Sequence, residues 1–182
     1  MPPCCSIWGW VEALAALHGE GRITEGAVTV DFYGARVDAA RRLAGRPEYT
    51  PFIRLMGHVP RTEALKAQRN ADLLLLLESP DPRARGVLTG KVFEYIASGT
   101  PVLSLGSLAD YEIPKLLDET GTGISFGYDE TGDLKEFLVH CLDDVMRATA
   151  YRPNLSRILR YSRHRQADEF YKELEQRFRH RG

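Results

Sequence analysis

Five consecutive leucines at positions 73–77, directly after Asp72, restrict the fold of this chain more than any other feature. The run is too short to cross a membrane as a helix, which takes roughly 20 apolar residues. A run so short and so apolar is typical of a strand that is covered on both faces, as strands are in a parallel sheet. We therefore predict an α/β domain built around a buried parallel sheet.

Strand-like and helical patterns alternate along the rest of the chain. Apolar residues at helical spacing predict helices between the strands and a C-terminal helical segment, residues 152–182, with a break near Ser162. The alternation is typical of an open, mostly parallel Rossmann-like sheet flanked by helices. At 182 residues the chain suits a single domain. The predicted strands are at 27–33, 52–56, 72–77, 101–105 and 124–126.

Cysteine usage bears on the compartment. The three cysteines, Cys4, Cys5 and Cys141, cannot form a paired disulfide framework, and their spacing matches no zinc motif. The first residues also lack the basic region and the long apolar core of a signal peptide. We therefore predict a cytoplasmic protein without a structural metal.

The formal net charge of −1 conceals an asymmetry. From Tyr151 onward there are nine Lys and Arg against four Asp and Glu, a balance of +5, so the rest of the chain carries −6. A nucleic-acid-binding protein is usually basic over a whole face, with aromatic residues among the charges, so nucleic acid is not an expected partner. The basic segment is either a solvated helix face or a contact with an anionic membrane surface or a partner domain.

The stretch at 89–103, which reads TGKVFEYIASGTPVL, has the pattern of a loop, a short helix, a glycine stop and a buried strand. Gly90 allows the backbone to approach a ligand closely, and the N–H groups at the start of the helix form a seat for an anion. Lys91 adds a positive charge there, and Glu94 lies one turn further on the same side of the helix. Phosphate donors followed by a carboxylate predict a site for a ribose diphosphate.

Topology predicts which other loops meet this motif. In open parallel sheets, ligands bind outside the carboxyl ends of the strands. The loop that begins at Gly34, the loop that contains His58 and Val59, and residues 78–91 follow three successive predicted strands. We therefore expect these three loops to face one crevice.

Taken in order, these motifs resemble the C-terminal half of GT-B glycosyltransferases. The resemblance covers roughly Trp10 to Phe178 and is strongest to the retaining, sugar-nucleotide-dependent bacterial enzymes of group 1, or family 4, which build polysaccharides and glycolipids. It rests on a strand ending at Gly34, the triplet Gly57-His58-Val59, Asn70-Ala71-Asp72 with its leucines, the K-x-F-E-Y-x-A-x-G-x-P-V pattern from Lys91 to Val102, and Gly121-Thr122-Gly123.

The resemblance implies a role for each matching residue of the motif. Glu94 would bind the ribose hydroxyls of a UDP- or GDP-sugar donor, since its two acceptor oxygens suit a diol. Lys91, with the backbone of Thr89, Gly90 and Val92, would hold the diphosphate. The positive charge of Lys91 would also stabilise the departing nucleotide. Lys91, together with Glu94, which would hold the ribose of that nucleotide, is therefore expected to be catalytic.

Two other loops of the family contribute to the nucleotide site. The backbone near His58 and Val59 would meet the base, and Gly34 would line the same site. The resemblance implies neither a metal nor a separate cofactor, because the helix start and the lysine neutralise the diphosphate.

Two departures from the family's pattern limit what it implies. Gly86 stands eight residues before Glu94, where the family often has a second glutamate near the donor sugar, and Glu78 and Asp81 are the candidates to replace it. The family also has a first strand with a phosphate-binding basic residue, which residues 1–7 are too short to supply. The N-terminal acceptor domain of the family is missing as well, so the chain by itself is not expected to transfer sugar.

Two other functions stay open at this point. A nucleotide-sugar epimerase of the same fold would share the donor-binding half and would need catalytic acids from both halves. A non-catalytic, flavodoxin-like interaction domain would need no site at all. A phospho-receiver needs paired acidic residues after the first strand, and a dinucleotide-binding Rossmann domain needs G-x-G-x-x-G. The sequence has neither pattern, so both are disfavoured.

Overall fold

Helices and strands alternate in the computed structural model, which describes residues 6–35, 37–79, 81, 83, 86–106 and 108–179. Each predicted strand is present, although the first begins three residues later than expected. None of the helices in these ranges is long and apolar enough to cross a membrane. The strands are β1 (Val30–Tyr33), β2 (Ile53–Gly57), β3 (Leu74–Leu77), β4 (Val102–Leu105) and β5 (Gly123–Phe126). The helices are α1 (Ser6–Gly19), α2 (Asp38–Ala44), α3 (Arg61–Asn70), α4 (Gly90–Ser98), α5 (Glu112–Thr120), α6 (Thr131–Ala148), α7 (Leu155–Arg160) and α8 (Arg163–Arg179).

The strand pairings among the described residues are all parallel, which confirms the predicted α/β class. β1 pairs with β2, and Val30 lies opposite Ile53. β4 lies between β3 and β5, with Val102 opposite both Leu74 and Gly123. The hydrogen bonds therefore define two sheets, β1-β2 and β3-β4-β5, instead of the one continuous sheet that the alternation predicts.

Doubly wound topology explains where the ladder is interrupted. In the order 3-2-1-4-5-6, the first strand lies between two halves that run outward from it. In this chain, β1 and β2 correspond to the second and third strands of that order, and β3, β4 and β5 correspond to its fourth, fifth and sixth strands. No described strand corresponds to its first strand. The two sheets still share one core, because Val30 and Phe32 of β1 pack against the same buried residues as Leu75 of β3.

Two apolar clusters cover the three-stranded sheet, one on each face. The larger cluster contains Leu103 of β4 together with buried side chains of α1, α2 and α6. The smaller cluster contains Val102 of β4 with side chains of α4 and α5. The leucine run divides in the same way, since Leu75 packs against the larger cluster and Leu76 lies in the smaller one. The prediction that this run is covered on both faces is therefore confirmed.

Glu119 of α5 holds the first C-terminal helix. The Tyr161 hydroxyl donates to the Glu119 carboxylate at 2.7 Å, and the Arg157 guanidinium donates to the backbone carbonyl of Glu119 at 2.9 Å. The ring centroid of Tyr161 also lies 6.0 Å from that of Phe93 in α4. α7 and α8 are separated by two residues, Tyr161 and Ser162, so the predicted break near Ser162 is confirmed.

Gly121, in the Gly121-Thr122-Gly123 turn, packs directly against the backbone that leads into α7. The N–H of Arg152 donates to the Gly121 carbonyl at 2.9 Å, and the N–H of Asn154 donates to the Thr120 carbonyl at 2.9 Å. Gly121 has a φ of +64°, and a Cβ there would collide with the carbonyl of Arg152. Both the conformation and the close approach therefore require glycine at this position.

Replacing Gly121 by alanine should destabilise the protein. The added Cβ meets backbone atoms of Arg152 at a φ that alanine disfavours, so we expect the free energy of unfolding to fall by more than about 1 kcal/mol. Gly132→Ala is the matched control, because Gly132 lies in the first turn of α6 with open space around it. Alanine should stabilise that helix by roughly 0.5–1 kcal/mol. Urea unfolding measures both variants, and equal midpoints would contradict the close approach at Gly121.

Candidate functional site

The carboxyl ends of the parallel strands bring the candidate loops to common edges. After β1, the N–H of Gly34 donates to the carbonyl of Gly57 at the end of β2, at 2.8 Å. After β3, the N–H of Glu78 donates to the carbonyl of Leu105 at the end of β4, at 2.9 Å. In open α/β sheets, ligands bind where the strand order reverses. In the doubly wound order that the two sheets match, that point lies between β1 and β3.

Helix α4 begins after β3 with its first two residues exposed. Thr89 precedes the helix in an extended conformation, and its hydroxyl makes no capping hydrogen bond to a described residue. Thr89, Gly90 and Lys91 are exposed. The Val92 side chain is instead fully buried, and its N–H donates to the Thr89 carbonyl at 3.2 Å. The positive end of the helix dipole and the Lys91 ammonium are therefore both accessible to an anion.

Packing fixes how α4 is turned about its axis. Val92 and Ile96 are buried in the smaller cluster. Gly99 ends the helix in the left-handed conformation, with a φ of +84°, which confirms its predicted role as a C-cap. The Tyr151 hydroxyl donates to the Gly99 carbonyl at 2.8 Å and fixes this end of the helix. Glu94 is consequently held on the side of α4 that faces α3.

The two carboxylate oxygens of Glu94 have different partners, both in α3. The Gln68 side-chain amide donates to Oε1 at 2.7 Å. The Arg61 guanidinium donates to Oε2 at 3.0 Å. The Glu94 side chain is 30% exposed and that of Arg61 is 80% exposed. The Glu94 side chain is thus partly exposed, and its partner at Oε2 lies mostly in solvent.

A second contact joins the ends of α3 and α4. The hydroxyl of Thr100, which is buried, donates to the backbone carbonyl of Gln68 at 2.8 Å. Because Gln68 lies in the last turn of α3, its carbonyl lacks a partner within the helix. The Thr100 hydroxyl supplies that partner and sets the distance between the two helices.

The loop that was predicted to meet the base lies next to this pair of helices. His58 is exposed and Val59 is partly buried, and both precede Pro60, the residue before α3. Arg61, the first residue of α3, is the one that reaches Glu94. The structure therefore connects the His58-Val59 loop with the carboxylate of the motif helix.

The two acids that were considered as replacements for the missing family glutamate differ in environment. The guanidinium of Arg83 donates to the Asp81 carboxylate, which lowers the pKa of Asp81 and keeps it charged. Glu78 is partly buried, and its burial raises the pKa of its carboxyl. Glu78 is therefore the better proton donor of the two. Gly86 has a φ of +82°, a conformation that favours glycine over the glutamate of the family.

Arg61 and Gln68 are functional candidates that the sequence analysis did not identify. Neither belongs to the motif, and they precede Glu94 by 33 and 26 residues. Their seven-residue separation places them on the same face of α3, two turns apart. That spacing is the one feature of the sequence that links Arg61 and Gln68. It does not predict which helix this face of α3 will contact.

Comparison with solved structures gives a match to the fold as a whole. The crystal structure of AviGT4, a glycosyltransferase involved in avilamycin A biosynthesis, matches 92% of this chain with a TM-score of 0.50 and 21% sequence identity. This likeness shows that the chain has a glycosyltransferase-like fold. This chain spans 47% of the length of AviGT4. No protein-family model and no curated protein sequence matches the chain.

Replacing Thr100 by valine should weaken the junction of α3 and α4. Valine keeps the shape of the side chain but leaves the Gln68 carbonyl without its donor, so we expect a loss of about 1–3 kcal/mol in the free energy of unfolding. Thr62→Val is the control, because Thr62 is exposed in α3, the helix that contains Gln68. Its effect on the free energy of unfolding should stay within about 0.5 kcal/mol. Denaturant unfolding compares the two variants. A Thr100→Val protein as stable as the control would show that this hydrogen bond does not hold the helices together.

Proposed function

We propose that this chain is the donor-binding half of a glycosyltransferase that takes its sugar from a nucleoside-diphosphate sugar. The observation that carries the proposal is the arrangement of α4. Its uncapped, exposed start bears Lys91, and one turn later Glu94 faces the helix that follows the His58-Val59 loop. An anion seat, a carboxylate and a further loop therefore lie in the order in which a diphosphate, a ribose and a base follow one another. The likeness of the fold to AviGT4 supports this assignment.

The start of α4 would bind the diphosphate. The exposed backbone at Thr89 and Gly90 offers N–H groups, and Lys91 adds a full positive charge. The N–H of Val92 would contribute less, since it already donates to the Thr89 carbonyl at 3.2 Å. When the glycosyl bond breaks, negative charge accumulates on the departing nucleotide, and the same cationic seat stabilises it without a metal.

Glu94 would bind the ribose. A carboxylate can accept hydrogen bonds from both hydroxyls of a diol, and hydrogen bonds to a charged acceptor contribute about 1.5–3 kcal/mol each. The base would lie against the loop of His58 and Val59, with Gly34 on the neighbouring strand end. UDP and GDP are the nucleotides that we propose for this site.

The rest of the reaction would need a second domain. This chain spans 47% of AviGT4, and in the proposed enzyme the acceptor would be bound by an N-terminal domain outside this chain. The full-length enzyme would be a hexosyltransferase-like protein of polysaccharide or glycolipid synthesis, working in the cytoplasm or at the inner face of a membrane. Alone, this chain would bind the donor without transferring the sugar.

Calorimetric titration of the purified chain with UDP and GDP tests the proposal. We expect one of the two to bind. Glu94→Ala should lower its affinity about 10- to 100-fold, because the ribose loses its charged acceptor, and Lys91→Ala should lower it about 5- to 10-fold. A folded wild-type chain that binds neither nucleotide would contradict the proposal.

The next helix along the chain provides the matched controls. Glu112 and Lys115 form an exposed ion pair at a three-residue spacing in the first turn of α5. Glu112→Ala and Lys115→Ala therefore make the same changes of charge within the first turn of a neighbouring helix. Both variants should bind the nucleotide as the wild type does. An equal loss in these controls would show that net charge, and not the motif, governs binding.

A further inference from the structure

The two partners of Glu94 differ in how firmly they are held. Gln68 is partly buried, and its backbone is fixed by the hydrogen bond from Thr100. Its side-chain Oε1 is buried without a hydrogen-bond partner among the described residues. A rotated amide would direct this oxygen at a carboxylate that can only accept hydrogen bonds, so the amide nitrogen has to face Glu94. The contact between Gln68 and Glu94 is therefore fixed in both place and direction.

Arg61 is held much less firmly. Its side chain is 80% exposed, and it lies in the first turn of α3, where the helix dipole disfavours a positive charge. An exposed ion pair of this kind contributes little, because water and salt screen it and a long side chain must be ordered to form it. Another hydrogen-bond donor can therefore take the place of Arg61 at Oε2 of Glu94.

We propose that Gln68 is a positioning residue that holds Glu94 by Oε1, and that Arg61 leaves Oε2 when a ribose diol binds there. This inference rests on the function proposed above. It assigns the two contacts separate roles, because Gln68 keeps the carboxylate aimed at the ligand while Arg61 occupies the oxygen until the ligand arrives. The hydroxyl that displaces Arg61 donates to Oε2, and a second hydroxyl uses the remaining lone pair of Oε1.

The test separates positioning from general folding by changing the ligand as well as the protein. Gln68→Met keeps the length of the side chain and removes the amide. We would titrate this variant with the nucleoside diphosphate that the wild type binds and with its 2′,3′-dideoxy analogue, which lacks both ribose hydroxyls. Affinity for the diol ligand should fall about 5- to 20-fold, and affinity for the dideoxy ligand should change less than about 2-fold. A residue that merely supports the fold would lower both affinities alike, and that result would overturn the proposal.

Arg61→Ala tests the exchange. Removal of a competitor for Oε2 should raise the affinity for the diol ligand about 2- to 5-fold and leave the dideoxy ligand unaffected. A loss of affinity for either ligand would show that Arg61 binds the nucleotide itself, and would overturn the exchange. Circular dichroism and thermal unfolding confirm that each variant is folded. If Gln68→Met is not, Gln68→Ala takes its place, because alanine favours the helix.

The outcomes distinguish this inference from the function on which it rests. If the wild type binds no nucleoside diphosphate, or binds one regardless of Glu94→Ala, the proposed function fails. If binding depends on Glu94 but Gln68→Met treats the diol and dideoxy ligands alike, only the positioning role fails.

Discussion

The burial of β4 on both faces is the constraint on which the rest of this structure depends. All four of its residues are buried, and it pairs with β3 on one side and β5 on the other. Leu103 and Val102 point into different clusters, so helices have to cover both faces of the sheet. Each such side chain contributes roughly 1.5–3 kcal/mol on burial. Because α4 and α5 cover one face through buried residues, the start of α4 is fixed relative to the strand ends.

The placement of Glu94 follows from that packing. Burial of Val92 and Ile96 turns the opposite side of α4 toward α3, and Thr100 anchors α3 by a backbone carbonyl. The carboxylate then meets a partly buried amide and an exposed guanidinium. In the proposed site, the contact with Gln68 would orient Glu94 before a ligand arrives. Such preorganisation lowers the entropy that binding has to overcome.

The interruption between the two sheets coincides with the point where the strand order reverses. In the doubly wound order that these sheets match, β1 and β2 lie on one side of the reversal and β3 to β5 on the other. Ligand sites of doubly wound proteins form at that reversal, beside the first strand of the topological order. In this chain α4, with its cationic start, follows the strand nearest to the reversal.

The sequence by itself determined the class of fold and the order of the elements, and it supplied the candidate residues of the motif. The leucine run predicted a strand covered on both faces, and Gly99 predicted a helix end. Lys91 and Glu94 could be named as candidates because charge and helical spacing are local properties. Only the tertiary structure decided that the strands form two ladders, that Gly121 packs against Arg152, and that Gln68 and Arg61 hold Glu94. These contacts join residues that are distant in the chain. Their geometry depends on how whole helices settle on the sheet, which no local pattern of residues specifies.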